Sequence, residues 1–298
     1  MAKYLITGAS GQIGSYVLER FSDKAEVIGV DLRPSRIKEL NDFIIIGDLR
    51  LREFVENIVK DVDVIIHLAA QVSVERSWRD PVYDAENNIL ATVNLLKEAS
   101  ERSIEKFVYI SSAAVYGRPR YLPIDENHPK SPLSPYGVSK LAGEYYCKAY
   151  SEDIYTVIVR PFNVFSPRID PKSHYSGVIA KFIQRVKKGL PPIIHGSGRQ
   201  TRDFVHVKDV VDFIEIAIRK GKRGEAYNVG TGRETSILEL AEMIMEIGRF
   251  EGKPIFEKPR KGDIERSVAD ITKAKKTGFN PKTDLRKDLE EVFELMEV

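Results

Sequence analysis

The chain has 298 residues, of which 42% are hydrophobic and 30% charged, and its formal net charge is +2. That balance describes a globular protein long enough for one large or two unequal domains, and it supplies no strong field for nucleic acid or an acidic membrane. The single cysteine, Cys147, excludes an intrachain disulfide framework and suits a reducing, cytoplasmic compartment; no apolar run has the length of a membrane span, and strand-like residues from Lys3 leave no sign of a secretory leader.

Short apolar runs rich in β-branched residues then alternate with helical patterns. Tyr4-Leu5-Ile6 predicts a first strand, and Val17, Leu18 and Phe21 mark the inner face of the helix that follows a glycine-rich turn. Further strands are predicted at 27–30, 43–46, 62–68, 107–110 and 155–159, with helices at 88–102 and 136–150. This is the pattern of an α/β fold, a doubly wound parallel sheet with helices on both faces. After Arg160 the alternation loosens. Helices are predicted at 178–188 and 209–220, a strand at 226–229, and a helix at 237–247 that Ser236 caps with Glu239 as its capping-box partner. Residues 1–165, with 200–235 returning to them, read as a dinucleotide-binding domain, and 166–298 as a smaller, interleaved α/β substrate lobe.

The first turn reads Thr7-Gly8-Ala9-Ser10-Gly11-Gln12-Ile13-Gly14. Glycines there permit a tight turn and close approach of the backbone to a pyrophosphate, which the following helix N-terminus attracts. Asp31 ends the next strand, where a carboxylate accepts hydrogen bonds from ribose hydroxyls and repels a 2′-phosphate. NAD is therefore the expected cofactor, although Arg33 keeps a phosphorylated ribose open. Asp48-Leu49 after the third strand and Leu68-Ala69-Ala70 after the fourth point at the same crevice.

Tyr136-Gly137-Val138-Ser139-Lys140 follows a Ser111-Ser112 pair that closes the fifth apolar run. Tyr136 and Lys140 share one helix face. An ammonium beside a phenol favours the phenolate, so Tyr136 is expected to ionise below its ordinary pKa of about 10 and to accept a proton at neutral pH.

Together these residues resemble the extended short-chain dehydrogenase/reductase family and, within it, the UDP-glucose (UDP-galactose) 4-epimerase group. The resemblance spans nearly the whole chain through TGASGQIGS, HLAA, NNILAT, SSAAVYG, YGVSK, RPFNVFSPR, RDFVHVKD and RKGD. It implies a Rossmann-like fold, tightly held NAD and a UDP-sugar substrate. Tyr136 would take the proton of the sugar 4-hydroxyl, Lys140 would bind the nicotinamide ribose, and Ser112 would hydrogen-bond the reacting oxygen. Cofactor contacts are implied for Gly8, Gly11, Gln12, Ile13, Gly14, Asp31, Leu32, Arg33, Asp48, Leu49, Leu68, Ala69, Ala70, Asn87, Ser111, Tyr136, Lys140 and Pro161. Asn163, Arg202 and Arg260 would hold the diphosphate or sugar, and Ser267 would line the sugar pocket. The related 4,6-dehydratases carry an Asp-Glu pair after the catalytic Ser/Thr, where this chain has Ala113 and Ala114. A small residue at Ser267 is associated with acceptance of N-acetylated sugars. Family habit implies a homodimer through the helices at 88–102 and 136–150. A UDP-glucuronate epimerase, dehydratase, decarboxylase or reductase, or a non-catalytic dinucleotide sensor, stays open at this point.

The remaining features read as structural. His67, His128, His174, His195 and His206 lack metal-ligand spacing, so no metal is expected. Trp78 and Tyr145-Tyr146 read as core or interface, and Asp125-Glu126 as a solvated or capping pair.

Overall fold

The computed structural model describes residues 2–102, 104–169, 177–259 and 263–296. Its first half builds β1 (Lys3–Thr7), α1 (Gln12–Ser22), β2 (Glu26–Asp31), β3 (Ile44–Ile46), α2 (Arg52–Ile58), β4 (Val64–His67), α3 (Val74–Arg79), α4 (Pro81–Ala85), α5 (Ala91–Glu101), β5 (Lys106–Ile110), α6 (Pro135–Ala149) and β6 (Tyr155–Pro161). The second half adds β7 (Asn163–Phe165), α7 (Val178–Lys187), β8 (Ile193–His195), β9 (Thr201–Arg202), β10 (Phe204–His206), α8 (Val207–Lys220), β11 (Ala226–Val229), β12 (Thr235–Ser236), α9 (Ile237–Ile247), β13 (Ile255–Glu257), α10 (Thr272–Lys275) and α11 (Leu285–Leu295).

Seven strands form one sheet in the order β11-β6-β5-β4-β1-β2-β3, each neighbouring pair parallel. Parallel strands need both faces covered, which is why β1, β4 and β5 carry apolar centres, Leu5-Ile6, Val64-Ile65-Ile66 and Phe107-Val108. On one face Val17, Leu18 and Phe21 of α1 meet Val210, Phe213 and Ile214 of α8 across Ile6 and Ile66. On the other, Leu95, Leu96 and Ala99 of α5 and Cys147 of α6 cover Leu5, Ile65 and Phe107. Each such aliphatic side chain, fully buried, contributes roughly 1.5–3 kcal/mol. Chain order reverses at β1, which lies between β2 and β4, so the crevice beyond the carboxyl ends of β1 and β4 is the ligand position of such sheets. A separate cluster joins α7, α9 and α11 through Ile183, Leu240, Ile244 and Leu289. Ser236 Oγ caps α9 by accepting the Glu239 N–H at 3.1 Å.

Three sequence expectations change. The third strand begins at Ile44, because residues 38–43 close a 3-10 turn first. The helix predicted from Asn88 starts as a π turn, Glu86–Leu90, and becomes α-helical at Ala91; the cause is the Asn88 side chain, which is drawn inward to bond Gln71. Trp78, Tyr145 and Tyr146 are exposed, 64%, 60% and 40%, so they fill no core.

Candidate active site

The turn between β1 and α1 is shaped by what glycine lacks. Gly8 has φ +69°, a left-handed conformation, and a Cβ there would lie 2.7 Å from Ala69 N. A Cβ on Gly14 would lie 2.0 Å from the Gly8 carbonyl oxygen. The glycines therefore let α1 seat directly on the turn, and let the turn seat on the Leu68-Ala69-Ala70 segment. Thr7 holds that segment by accepting the Leu68 and Ala69 N–H groups at 3.2 Å. His67 bridges Thr7 Oγ1 (2.7 Å) and Thr92 Oγ1 (2.9 Å); burial pushes its pKa down to about 3, so it stays neutral and structural.

The crevice fits a dinucleotide. Gly11 caps α1 without a side-chain cap, leaving the helix N-terminus to an anion, and Gln12 Nε2 beside it is buried with no protein partner among the described residues. Ile13 is half-buried in the first turn of the same helix. Asp31 accepts the Ser10 N–H at 3.0 Å and the Arg33 N–H at 3.3 Å, while burial, the largest influence, raises its pKa. Leu32 and Arg33 lie exposed at the rim. Asp48, after the third strand, is paired with Arg50, Oδ2 to Nη2 2.7 Å, and Leu49 is buried behind it. Asn87 donates to Tyr83 O at 2.7 Å, and Pro161 is buried at the end of β6.

At the carboxyl end of β5 stand the reacting groups. Ser134 Oγ caps α6 by accepting the Gly137 N–H at 3.1 Å, and Pro135 supplies the fixed φ of a first helical turn. One turn separates Tyr136 from Lys140. The Ser112 hydroxyl stands beside the Tyr136 phenol and favours its ionisation. Lys140 Nζ donates to Ile110 O at 2.9 Å and lies 5.1 Å from the Tyr109 ring centre. Gly143 makes room for that ring, since a Cβ there would lie 2.2 Å from the Tyr109 hydroxyl.

The electrostatics correct one expectation. Tyr136 is partly exposed as a residue, yet burial of the phenol is the main influence and raises its pKa, with the Ser112 hydroxyl opposing it. Lys140 is pushed down to about 8 by burial. Lys140 is directed at the Ile110 carbonyl, so in the protein alone its charge does not produce an acidic phenol. Ser111 turns the other way: its hydroxyl donates to Glu144 Oε1 at 2.6 Å, and Glu144 holds Arg160 through two bonds of 2.8 and 2.6 Å.

A cavity of about 700 Å³ opens beside the loop after Ala70 and runs into the second lobe. Asn163 and Arg202 both line it. Asn163 Nδ2 donates to Asp203 O at 3.1 Å, and Arg202 is fixed by Asp263 Oδ1 at 2.5 Å and by the Ile264 carbonyl. Sequence reading missed the cavity's Lys181, Arg185, His195 and Gln200; the helical spacing of α7 was its only trace. Ser267 is buried next to Val268, whose carbonyl accepts the Ile124 N–H. Arg260 and His174 lie outside the described residues. Asp125 binds turn donors, and the half-buried Glu126 accepts the Asn228 N–H of β11 at 2.8 Å through Oε1. No cluster of metal-ligating side chains exists among the described residues.

A doubly wound sheet with a glycine turn at its switch point and a Ser-Tyr-Lys set beyond β5 defines a dinucleotide-dependent enzyme. The model of the NAD dependent epimerase/dehydratase family matches residues 4–230. The chain is 43% identical to a Methanocaldococcus jannaschii protein provisionally named UDP-glucose 4-epimerase, over 98% of this chain and 97% of that one. It superposes on the UDP-glucose 4-epimerase of Thermotoga maritima, solved with UDP-glucose, with a TM-score of 0.94, 34% identity and 98% coverage of both chains. The UDP-N-acetylglucosamine 4-epimerase of Methanobrevibacter ruminantium M1, in complex with UDP-N-acetylmuramic acid, gives 0.93 and 33% over 99% of this chain and 97% of that one. The chain belongs to the NAD dependent epimerase/dehydratase family, within the extended short-chain dehydrogenase/reductases; it is an enzyme, and its cofactor is NAD.

Proposed function

We propose that the protein inverts C4 of a UDP-hexose, interconverting UDP-glucose and UDP-galactose and accepting their N-acetyl forms. One observation carries the choice within the family. Next to Ser112 stand Ala113 and Ala114, and the nearby carboxylates are engaged: Glu126 with Asn228, Glu144 with Arg160 and Ser111. Elimination of water from the sugar needs an acid and a base at neighbouring carbons, and these engaged carboxyls leave neither role filled.

Bound NAD supplies reversible redox chemistry at the sugar C4. Tyr136, once ionised, takes the proton of the 4-hydroxyl as the 4-keto sugar forms, and gives it back when C4 is reduced from the other face. The proton and the redox equivalents therefore balance over one cycle. Ser112, beside the phenol, orients the reacting oxygen. Lys140, one turn along α6, is placed for the ribose hydroxyls of the cofactor. Asn163 and Arg202 face the cavity, where a fixed guanidinium suits a diphosphate. A grip on the nucleotide, with few groups on the hexose, lets the keto sugar turn over.

Purified protein incubated without added cofactor with UDP-glucose, UDP-galactose, their N-acetyl forms and UDP-glucuronate, followed by NMR, tests this. Interconversion at C4 alone is expected. A deoxy-keto, pentose or reduced product would replace the epimerase by a dehydratase, decarboxylase or reductase.

Ser267→Tyr is expected to reduce turnover of the N-acetyl sugar by about tenfold or more and to spare UDP-glucose, as a bulky ring excludes the acetamide. Equal activity on both sugars would remove that reading. We also propose a homodimer through the α5–α6 face, supported by exposed Val138, Tyr145 and Tyr146 on α6 and by Leu90 before α5. A single monomeric species in sedimentation velocity at micromolar concentration would exclude it.

A further inference from the structure

We propose that Asp84 is the counter-charge of the Tyr136–Lys140 pair: a buried carboxylate outside the Ser-Tyr-Lys set that keeps Lys140 an ammonium and sets the pH range in which Tyr136 exchanges protons. The inference rests on the roles of Tyr136 and Lys140 given above.

Asp84 belongs to α4, which packs with α3 against α6, and only 1% of it is exposed. A buried carboxylate requires compensation. Its Oδ1 accepts two hydrogen bonds, from Gln71 Nε2 at 2.7 Å and from Asn88 Nδ2 at 3.2 Å. Both donors are neutral amides, so neither supplies a counter-charge. Among the described residues no Lys, Arg or His forms an ion pair with it. The same Asn88 Nδ2 lies 2.9 Å from the hydroxyl of Ser139, the residue before Lys140. The π turn at Glu86–Leu90 carries Asn88 to this position, and the Asn88 amide also bonds both the N–H and the carbonyl of Gln71. A rigid set of amides thus fixes the carboxylate relative to α6.

The charge acts on both reacting groups. After burial, Asp84 is the strongest influence on Lys140 and favours its protonated form. It also favours the neutral phenol of Tyr136. Other groups face Lys140, and of these Cys147 and Glu144 act in the same direction with less weight than Asp84. His67 from β4 is held neutral by burial. Tyr109 from β5 presents its ring. Cys147 on α6 keeps its thiol proton because burial raises its pKa. Glu144, also on α6, is bound by Arg160 and Ser111.

The sign follows directly. A negative charge raises the pKa of a phenol and of an ammonium alike. Neutralising Asp84 lowers both. The two limbs of kcat/KM that report Tyr136 and Lys140 then both move to lower pH.

The test compares pH profiles of UDP-sugar interconversion for the wild type, Asp84→Asn and Asp84→Glu. Both limbs are expected to move to lower pH in Asp84→Asn and to return toward the wild type in Asp84→Glu. Limbs that stay in place, or move in opposite directions, overturn the proposal. Ser139→Ala cuts the Asn88 bond while leaving the charge, and it should alter rate without moving the limbs; a matching shift would assign the effect to geometry and overturn the counter-charge.

A second readout does not depend on catalysis. Thermal melting is measured for Lys140→Met, Asp84→Asn and the double variant. Each single variant leaves one buried charge unanswered, so the double should melt above the sum of the two losses. Additive losses overturn the coupling even if no sugar is turned over, which separates failure here from failure of the epimerase reading. If Asp84→Asn does not fold alone, the double variant must fold; its failure also overturns the proposal.

Discussion

Tyr136→Phe is expected to lower kcat by about 10²–10⁴-fold with every UDP-sugar the protein accepts, and to leave NAD binding and melting temperature near those of the wild type. The substitution removes one hydroxyl and keeps the ring. Ser112, which neighbours the phenol, is held independently by accepting the Ala114 N–H at 3.1 Å, so the turn after β5 survives. A structural role for Tyr136 would instead appear as lost stability. The assay is kcat and KM by NMR, with thermal melts in parallel. A variant retaining more than about one tenth of wild-type kcat would remove Tyr136 from the proton path.

The raised pKa of Tyr136 makes the prediction sharper. Burial holds the phenol neutral in the protein alone, so the limb that reports Tyr136 lies higher than a solvated phenol beside an ammonium would place it. The sequence places Tyr136 and Lys140 on one face, but it cannot show that Lys140 is aimed at the Ile110 carbonyl. Spacing along a helix reports which side chains are neighbours. Burial and direction depend on β4, β5 and α4 arriving from elsewhere in the chain.

That division holds throughout the molecule. Strand runs such as Val64-Ile65-Ile66 are legible because a strand buried on both faces has no room for polar residues. The glycine turn is legible because only glycine tolerates the contacts at Gly8 and Gly14. The strand expected at 226–229 forms as β11, and its pairing with β6 is what the structure adds. The Asp84–Asn88–Ser139 network was not legible, since Asn88 and Ser139 are separated along the chain by 51 residues and each looks like an ordinary helix polar group. The cavity cations Lys181 and Arg185 were hidden for a similar reason: both sit on the polar stripe of α7, which a sequence presents as solvated surface.

The largest stability effect expected is at Arg160. This side chain is 1% exposed and joins β6 to α6 and to the loop carrying Tyr116. It makes a bidentate pair with Glu144 and donates to the Tyr116 hydroxyl at 2.7 Å; that hydroxyl donates onward to Asn228 Oδ1 at 2.6 Å. Burial opposes its charge, but Glu144 and Tyr116 outweigh burial and hold the guanidinium proton above its ordinary value. Arg160→Met leaves the buried Glu144 carboxyl with Ser111 as its remaining hydrogen-bond partner, at a cost of about 3–5 kcal/mol in denaturant unfolding. Glu144→Gln combined with Arg160→Met removes both charges and should recover a substantial part of that loss. The recovery decides what the pair does. A double variant that regains stability yet turns over sugar poorly shows that the pair positions Ser111-Ser112 against α6. One that regains both shows that the amide brought in by Glu144→Gln is enough to hold Ser111, and that the ion pair is a means of packing β6 on α6. A double variant no more stable than Arg160→Met would overturn the charge argument and leave the Tyr116–Asn228 chain as the link that holds the sheet edge together.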